Sequence, residues 1–165
     1  INAEVMPGQW EFQVGPLGPL AVSDELWIAR WLLYRLGEDY GVNATLHPKP
    51  VKGDWNGSGM HTNFSNNVMR HSGTQELMND YCEALKANHK EAIKVYGSDN
   101  DQRLTGHHET QSIDQFSYAI FDRGASIRIP IYTIEHDWNG YLEDRRPASN
   151  ADPYKIISHI VGTLS

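Results

Sequence analysis

Apolar residues recur at helical spacing in two stretches of this chain and alternate in others. Leu26, Ala29, Leu33, Leu36 and Tyr40 predict an amphipathic helix over 23–40, which Ser23 or Asp24 can cap and Gly41 can end. Leu77, Met78, Tyr81, Leu85 and Ile93 predict a second helix over 74–95, with Gly97 beyond it. Between 125 and 132 the period changes to two. Ala125, Ile127, Ile129 and Ile131 alternate with Ser126 and Arg128, the mark of a strand with one buried face. Further strands are predicted near 42–47, 60–65, 116–121 and 141–144, and a last helix from about 152. Pro48 and Pro50 break the chain, Gly53 to Gly59 reads as loop, and 98–114 is polar and irregular. Residues 2–14 read as two short strands around Pro7-Gly8, the pair that suits the centre of a type II turn. A two-residue loop there sets Met6 against Gln9, Val5 against Trp10 and Glu4 against Glu11. With no internal repeat or interdomain linker, the pattern predicts one α+β domain, a curved antiparallel sheet with flanking helices.

Composition narrows the chemistry. The 165 residues suffice for one core, and a net charge of −7 argues against a nucleic-acid surface built on bulk positive potential. Yet five of the eight arginines (Arg103, Arg123, Arg128, Arg145 and Arg146) fall within 103–146, a local positive site in an acidic chain. Cys82 is the only cysteine, so no internal disulfide forms. No apolar run reaches membrane-spanning length and no signal peptide is visible. The chain opens on Ile1 within strand-like sequence, and is expected to be a cropped or processed piece of something larger.

Carboxylates and guanidiniums alternate on segments that should be half buried, where charge must be paired or hold a cation. Glu4, Glu11, His61 and Glu143 lie on separate strands, and oxygen-rich donors with one histidine suit Mg²⁺ or Mn²⁺. The plain alternative is surface glutamates and a hydrogen-bonded histidine. The loop Asn56-Gly57-Ser58-Gly59 exposes amide donors that a ligand can approach, though it lacks the ending of a P-loop. Arg145 stands two residues from Glu143 on one face, and Arg128 on the polar face of its strand. Both offer the planar fork that suits phosphate or carboxylate. The competing reading is internal pairing, with Glu143-Asp144 serving Arg145-Arg146. In His107-His108-Glu109 adjacent histidines point apart, and a loop that positions Glu109 over a reacting centre fits as well as a metal site.

Five strings, NAEVMPGQWEFQVGP (2–16), LHPKPVKGDWNGSGMHTNFS (46–65), RLTGHHET (103–110), RGASIRIP (123–130) and GYLEDRRPASNADPY (140–154), occur in one order across nearly the whole chain. Together they resemble the second half of eukaryotic-type (type II) glutamine synthetase. The resemblance implies the C-terminal part of that catalytic domain over 1–165, with the β-rich N-terminal domain and first catalytic strands absent. It implies ATP-dependent joining of glutamate and ammonia through γ-glutamyl phosphate, with two or three Mg²⁺ or Mn²⁺ ions. By that resemblance Glu4 and Glu11 hold one metal and His61 and Glu143 another. Asn56, Gly57, Arg103 and Arg145 bind glutamate, while Asn63, Phe64, Ser65 and Tyr141 line the ATP site. Arg123 and Arg128 serve the transferred phosphate, and Glu109 closes over the intermediate. A homo-oligomer of stacked rings, a decamer in the family's manner, is implied, without nucleic acid or membrane, in the cytoplasm or a plastid. The sequence departs from the family at Asp122 and over Ile131-Tyr132-Thr133-Ile134. Two expectations follow: a complete ligase whose isolated 165-residue piece is inactive, or a truncated, non-catalytic relative with a structural or regulatory role.

Overall fold

A computed structural model describes residues 1–165. The elements in order are β1 (Asn2–Ala3), β2 (Trp10–Glu11), α1 (Pro19–Tyr40), β3 (Thr62–Phe64), α2 (Asn67–His71), α3 (Gln75–Ala87), α4 (His89–Val95), β4 (Tyr118–Ile120), β5 (Ile127–Ile129), α5 (Ile131–Glu135), β6 (Leu142–Asp144) and α6 (Pro153–Thr163). A four-stranded sheet runs β3-β6-β5-β4, and β1 and β2 form a separate hairpin. β3 and β5 flank β6 antiparallel, but β4 pairs with β5 in parallel, so the expected all-antiparallel sheet is mixed. The loop 121–126 suffices for that return because the strands have three residues each, a span of about 10 Å.

Side-chain caps set several helix ends. Asn66, Thr74 and Asp152 each accept a main-chain N–H at the start of α2, α3 and α6. The predicted helix over 74–95 divides into α3 and α4 at Asn88, whose amide donates back to the Ala84 carbonyl. α1 starts four residues before its expected cap, because Gly18-Pro19 presets the first turn. Ser23 then sits inside the helix, bonded to the Pro19 carbonyl at 2.9 Å. Gly41, at φ 62°, ends α1 as predicted.

No strand forms over 42–47. There His47 N–H donates to Thr45 Oγ1 and Lys49 N–H to His47 Nδ1, and Pro48 and Pro50 have no donor for a ladder. Strand β5 stops before Pro130, and Ile131 opens α5 instead of extending the strand. No helix is long and apolar enough to cross a membrane.

The inner face of the sheet gives Ile127, Ile129 and Leu142 to a core with Met69, Met78, Cys82 and Leu85. A second cluster joins Ala92, Tyr96, Ala151, Ile156 and Ile160 under α6. α1 docks through a narrow line in which Ser23, Arg30 and Gly37 are buried. Arg30 donates to the carbonyls of Ser149 and Ala151 at 2.8 and 2.9 Å. Leu33, Leu36 and Tyr40, expected on the buried side, face solvent instead. A helix seated on a polar anchor and a glycine turns its apolar stripe away.

Candidate functional site

The polar face of the sheet collects the candidate groups in one row. Asn63 on β3, Glu143 on β6 and Arg128 on β5 are register neighbours. Period-two alternation adds His61 beside Asn63, and Tyr141 and Arg145 on either side of Glu143. The Glu143 carboxylate is the centre. Arg145 Nη1 donates to its Oε1 at 2.9 Å, His61 Nδ1 stands 3.3 Å from the same oxygen, and Arg128 Nη1 reaches Oε2 at 3.2 Å. Burial pushes the Glu143 carboxyl up, but the hydrogen bond and charge of His61 and the charges of Arg145 and Arg128 outweigh it and hold it below the usual range. Desolvation, followed by the charges of Arg145 and Arg103, lowers His61 against the opposing bond to Glu143. Two buried donors in this cluster, Arg128 Nε and Arg145 Nε, have no partner.

Arg103 lies beneath the row, nearly fully buried. Its guanidinium donates to the carbonyls of Arg145 (2.7 Å) and Arg146 (3.1 Å) and to Asn100 Oδ1 (3.0 Å). Burial and the Arg145 charge bring its pKa down to about 10. Its Nη2 also stands 3.4 Å from His61 Nε2, so the group expected to bind a carboxylate braces the chain just after β6 and adjoins the candidate row. The glycine loop packs on this same side chain. A Cβ at Gly57 would lie 2.6 Å from Arg103 Cγ, and one at Gly59 2.4 Å from its Nη2. The absence of a Cβ at these two positions therefore lets Arg103 pack against the loop. Gln9 ties the loop to the hairpin, donating to Gly57 O at 3.2 Å and Ser58 Oγ at 3.1 Å, while half-buried Asn56 leads into it.

Glu109 follows His108 in a turn where both residues hold left-handed backbone, φ 54° and 60°. Its carboxylate meets Arg123 Nη1 at 3.2 Å, and its carbonyl accepts from Arg145 Nη2 at 3.4 Å. His108 turns to Asp54 (3.3 Å) while His107 is exposed, so the two histidines do diverge. The Asp122 carboxylate accepts from Gly124 N–H at 2.8 Å, so this departure serves a local turn.

The N-terminal hairpin corrects the expected register. Gly8 has φ 79° and Gln9 N–H donates to Met6 O, so Pro7-Gly8 does form a type II turn. The loop is longer than two residues, however. Asn2 opposes Glu11, Ala3 opposes Trp10, and Glu4 N–H donates to Gln9 O. A type II turn splays strands that a primed turn would close, which favours the longer loop. The shift is two residues, so Glu4 and Glu11 become diagonal neighbours on one face. They still interact: a hydrogen bond to Glu11, then burial and the Glu11 charge, raise the Glu4 carboxyl. Arg123 opposes that rise and Glu109 adds to it, which brings hairpin and loop into one electrostatic neighbourhood.

The candidate metal ligands thus stand as two pairs, Glu4 with Glu11 and His61 with Glu143. No three histidine, cysteine or acidic side chains come together in a group that could hold a metal. A divalent cation would relieve the repulsion between Glu4 and Glu11, and a carboxylate with an imidazole is likewise a common pair of metal ligands, so both pairs fit part of a cation shell. Of the remaining candidates, Asn63 is exposed on the polar face, and Ser65 Oγ accepts from Arg70 at 2.8 Å. Phe64 packs inward against both core clusters, so its side chain does not line the polar face.

Arg146, expected in the anion site, belongs to the opposite face. It grips Asp144 through Nε to Oδ1 (2.9 Å) and Nη2 to Oδ2 (2.7 Å), with its guanidinium 5.1 Å from the rings of Tyr96 and Phe116. Tyr96 O–H donates to Asp144 Oδ2 at 2.7 Å, and burial, with the Asp144 charge, pushes that phenol well above its ordinary pKa. Tyr96 went unnoticed in the sequence. The period-two rule over Glu143-Asp144-Arg145-Arg146 was the signal that separates the two arginines.

With this geometry in hand, comparison identifies relatives. The family described as glutamine synthetase, catalytic domain, matches residues 1–163. The chain is 57% identical to a glutamine synthetase of Kluyveromyces lactis over 164 residues, covering 99% of this chain and 44% of that protein. It is 57% identical to one from Streptomyces viridochromogenes over 165 residues, covering 47% of that protein. The chain spans about half the length of the curated relatives it matches. A cryo-electron microscopy structure of Plasmodium falciparum glutamine synthetase shares the fold, with a TM-score of 0.70 at 22% identity over 88% of this chain and 30% of that one.

Proposed function

The chain belongs to the glutamine synthetase catalytic-domain family, and from that premise we propose that the protein of which it forms the C-terminal catalytic part is a glutamate–ammonia ligase. The reaction would use ATP to form γ-glutamyl phosphate and ammonia to release glutamine, in an oligomer of stacked rings. The observation that carries this reading is Glu143, held between His61, Arg145 and Arg128 beside two unpartnered arginine donors. Phosphoryl transfer asks a protein mainly for alignment and charge neutralisation. Arg128 and Arg123 would orient the transferred group, with the free Nε–H of Arg128 as one donor to its oxygens. Arg145 would hold the glutamate carboxylate by its own free Nε–H. Asn63 and Tyr141 would border the nucleotide on the same face.

Divalent cations, when bound, would offset phosphate charge, with Glu4 and Glu11 holding one and His61 and Glu143 another. Each pair supplies two ligands, so the remaining ligands would come from outside these residues. Glu109, already turned toward Arg123, would exclude water from an acyl phosphate that water hydrolyses. The test is glutamine formation from glutamate, ammonia and ATP by the complete protein, beside the 165-residue chain alone. Turnover by the complete protein and none by the chain is expected. A complete protein that binds ADP without turning over would favour the non-catalytic relative.

A further inference from the structure

Phe121 combines features that packing does not explain. It is a bulky aromatic residue in left-handed backbone, φ 58°, where non-glycine residues rarely settle without compensation. The residue is 61% exposed, so no core contact compensates for the strain. The contact it does make is with the candidate site: the Arg128 guanidinium carbon lies 5.6 Å from the ring centroid. Its own N–H donates to the Ile129 carbonyl at 2.9 Å, which pins it beside the strand that carries Arg128. The Asp122 turn stiffens the chain immediately after it.

Arg128 needs such a support. One nitrogen, Nη1, is anchored on Glu143 Oε2 at 3.2 Å, and Nε–H is buried with no partner. A guanidinium held at one corner can still swing about that bond. An aromatic face attracts the cation and keeps water from one side of it. We propose that Phe121 is a positioning residue for Arg128: the ring fixes the guanidinium plane so that its open edge meets the phosphoryl group of the nucleotide. This rests on the reading of Arg128 as a phosphate-binding cation. It accounts for both the strained backbone and the exposed ring, which are the conditions for laying an aromatic face against a cation at the site's edge.

The test uses the complete protein with Mg²⁺, reading by calorimetry the affinity for the non-hydrolysable β,γ-imido analogue of ATP, which keeps the γ-phosphoryl group, together with KM for ATP, kcat and melting temperature. Phe121→Asn removes the ring but tolerates the left-handed backbone, and Phe121→Tyr keeps the ring. The asparagine variant is expected to bind this analogue about two- to fivefold more weakly, the range of an exposed cation–π contact. KM for ATP should rise in step while the melting temperature holds or increases, and the tyrosine variant should match wild type. Arg128→Ala serves as the reference. If it loses affinity for the analogue while Phe121→Asn does not, the positioning role alone is overturned. If Arg128→Ala keeps full affinity for the analogue, the phosphate reading of Arg128 falls and the proposal falls with it. A lower melting temperature in both Phe121 variants, with no recovery by tyrosine, would mark a structural residue and overturn the role as well.

Discussion

The two faces of strand β6 carry the same chemistry and treat it oppositely. On the inner face Asp144 and Arg146 form a closed unit, with both carboxylate oxygens engaged by Arg146 and one also by Tyr96. Neither side chain has an orphaned polar atom. On the outer face Glu143 is shared among His61, Arg145 and Arg128, and those arginines keep buried Nε–H groups without partners. Burial makes an unsatisfied donor costly, so a structural network closes while a binding site stays open for its ligand. Completeness of hydrogen bonding, more than residue type, distinguishes the two pairs.

The largest effect should come from breaking the closed pair. Asp144→Ala leaves the Arg146 cation buried without its counter-charge, and a broken buried pair costs about 3–5 kcal/mol. Denaturant unfolding should register that loss in the complete protein, even with substrates saturating. A loss under about 1 kcal/mol, the scale of an exposed pair, would dissolve the contrast between the faces. Glu143→Gln asks the reverse on the outer face. The amide keeps an acceptor for Arg145 and removes the charge, so folding should persist while glutamine formation falls by about 10²–10³, the scale for one electrostatic group at a transition state. Metal content should fall in the same variant. Wild-type turnover and metal content there would remove Glu143 from the site.

Legibility in the sequence followed the same division. Period two alone places Glu143 with Arg145 and Ile127 with Ile129, because alternation is a local property of a strand. The stop at Gly41 is likewise local. What escaped depended on distant partners. The packing of Arg103 on Gly57 and Gly59 is one case, since nothing in their own segment points to a side chain 40 or more positions away. Helical spacing marked Leu33 and Leu36 as inward, yet Arg30 decided the docking of α1 by reaching the carbonyls of Ser149 and Ala151. The Glu4 register failed through turn geometry, where one hairpin loop length gives way to another without any change in composition. The roles expected of Glu109 and Arg123 together rest on the family resemblance. Their spacing alone does not supply them, since 13 intervening residues lie between them.

The smallest effect sharpens the closed face through pH. His89 stands at its edge, with Nε2 2.8 Å from Ile113 O and Nδ1 3.2 Å from Arg146 Nη1. Arg146 can only donate, so Nδ1 must accept and the proton rests on Nε2, which fixes a neutral ring. Burial lowers the His89 pKa first and the Arg146 charge adds to it, outweighing the Ile113 carbonyl, Asp144 and Asp114. A folded pKa below the unfolded one means that the unfolded chain takes up this proton first as pH falls. The contribution of His89 is therefore whole above the unfolded value of about 6.5 and declines as pH falls from there through the folded value. Wild type and His89→Gln should be unfolded by denaturant at pH 7.5 and at pH 5.5. Wild type should lose more stability between the two than the variant, which has no proton to gain at this position. Equal losses would mean that the ring already accepts a proton in the folded protein. The contact with Arg146 would then have to open, and the inner face would be no more closed than the outer.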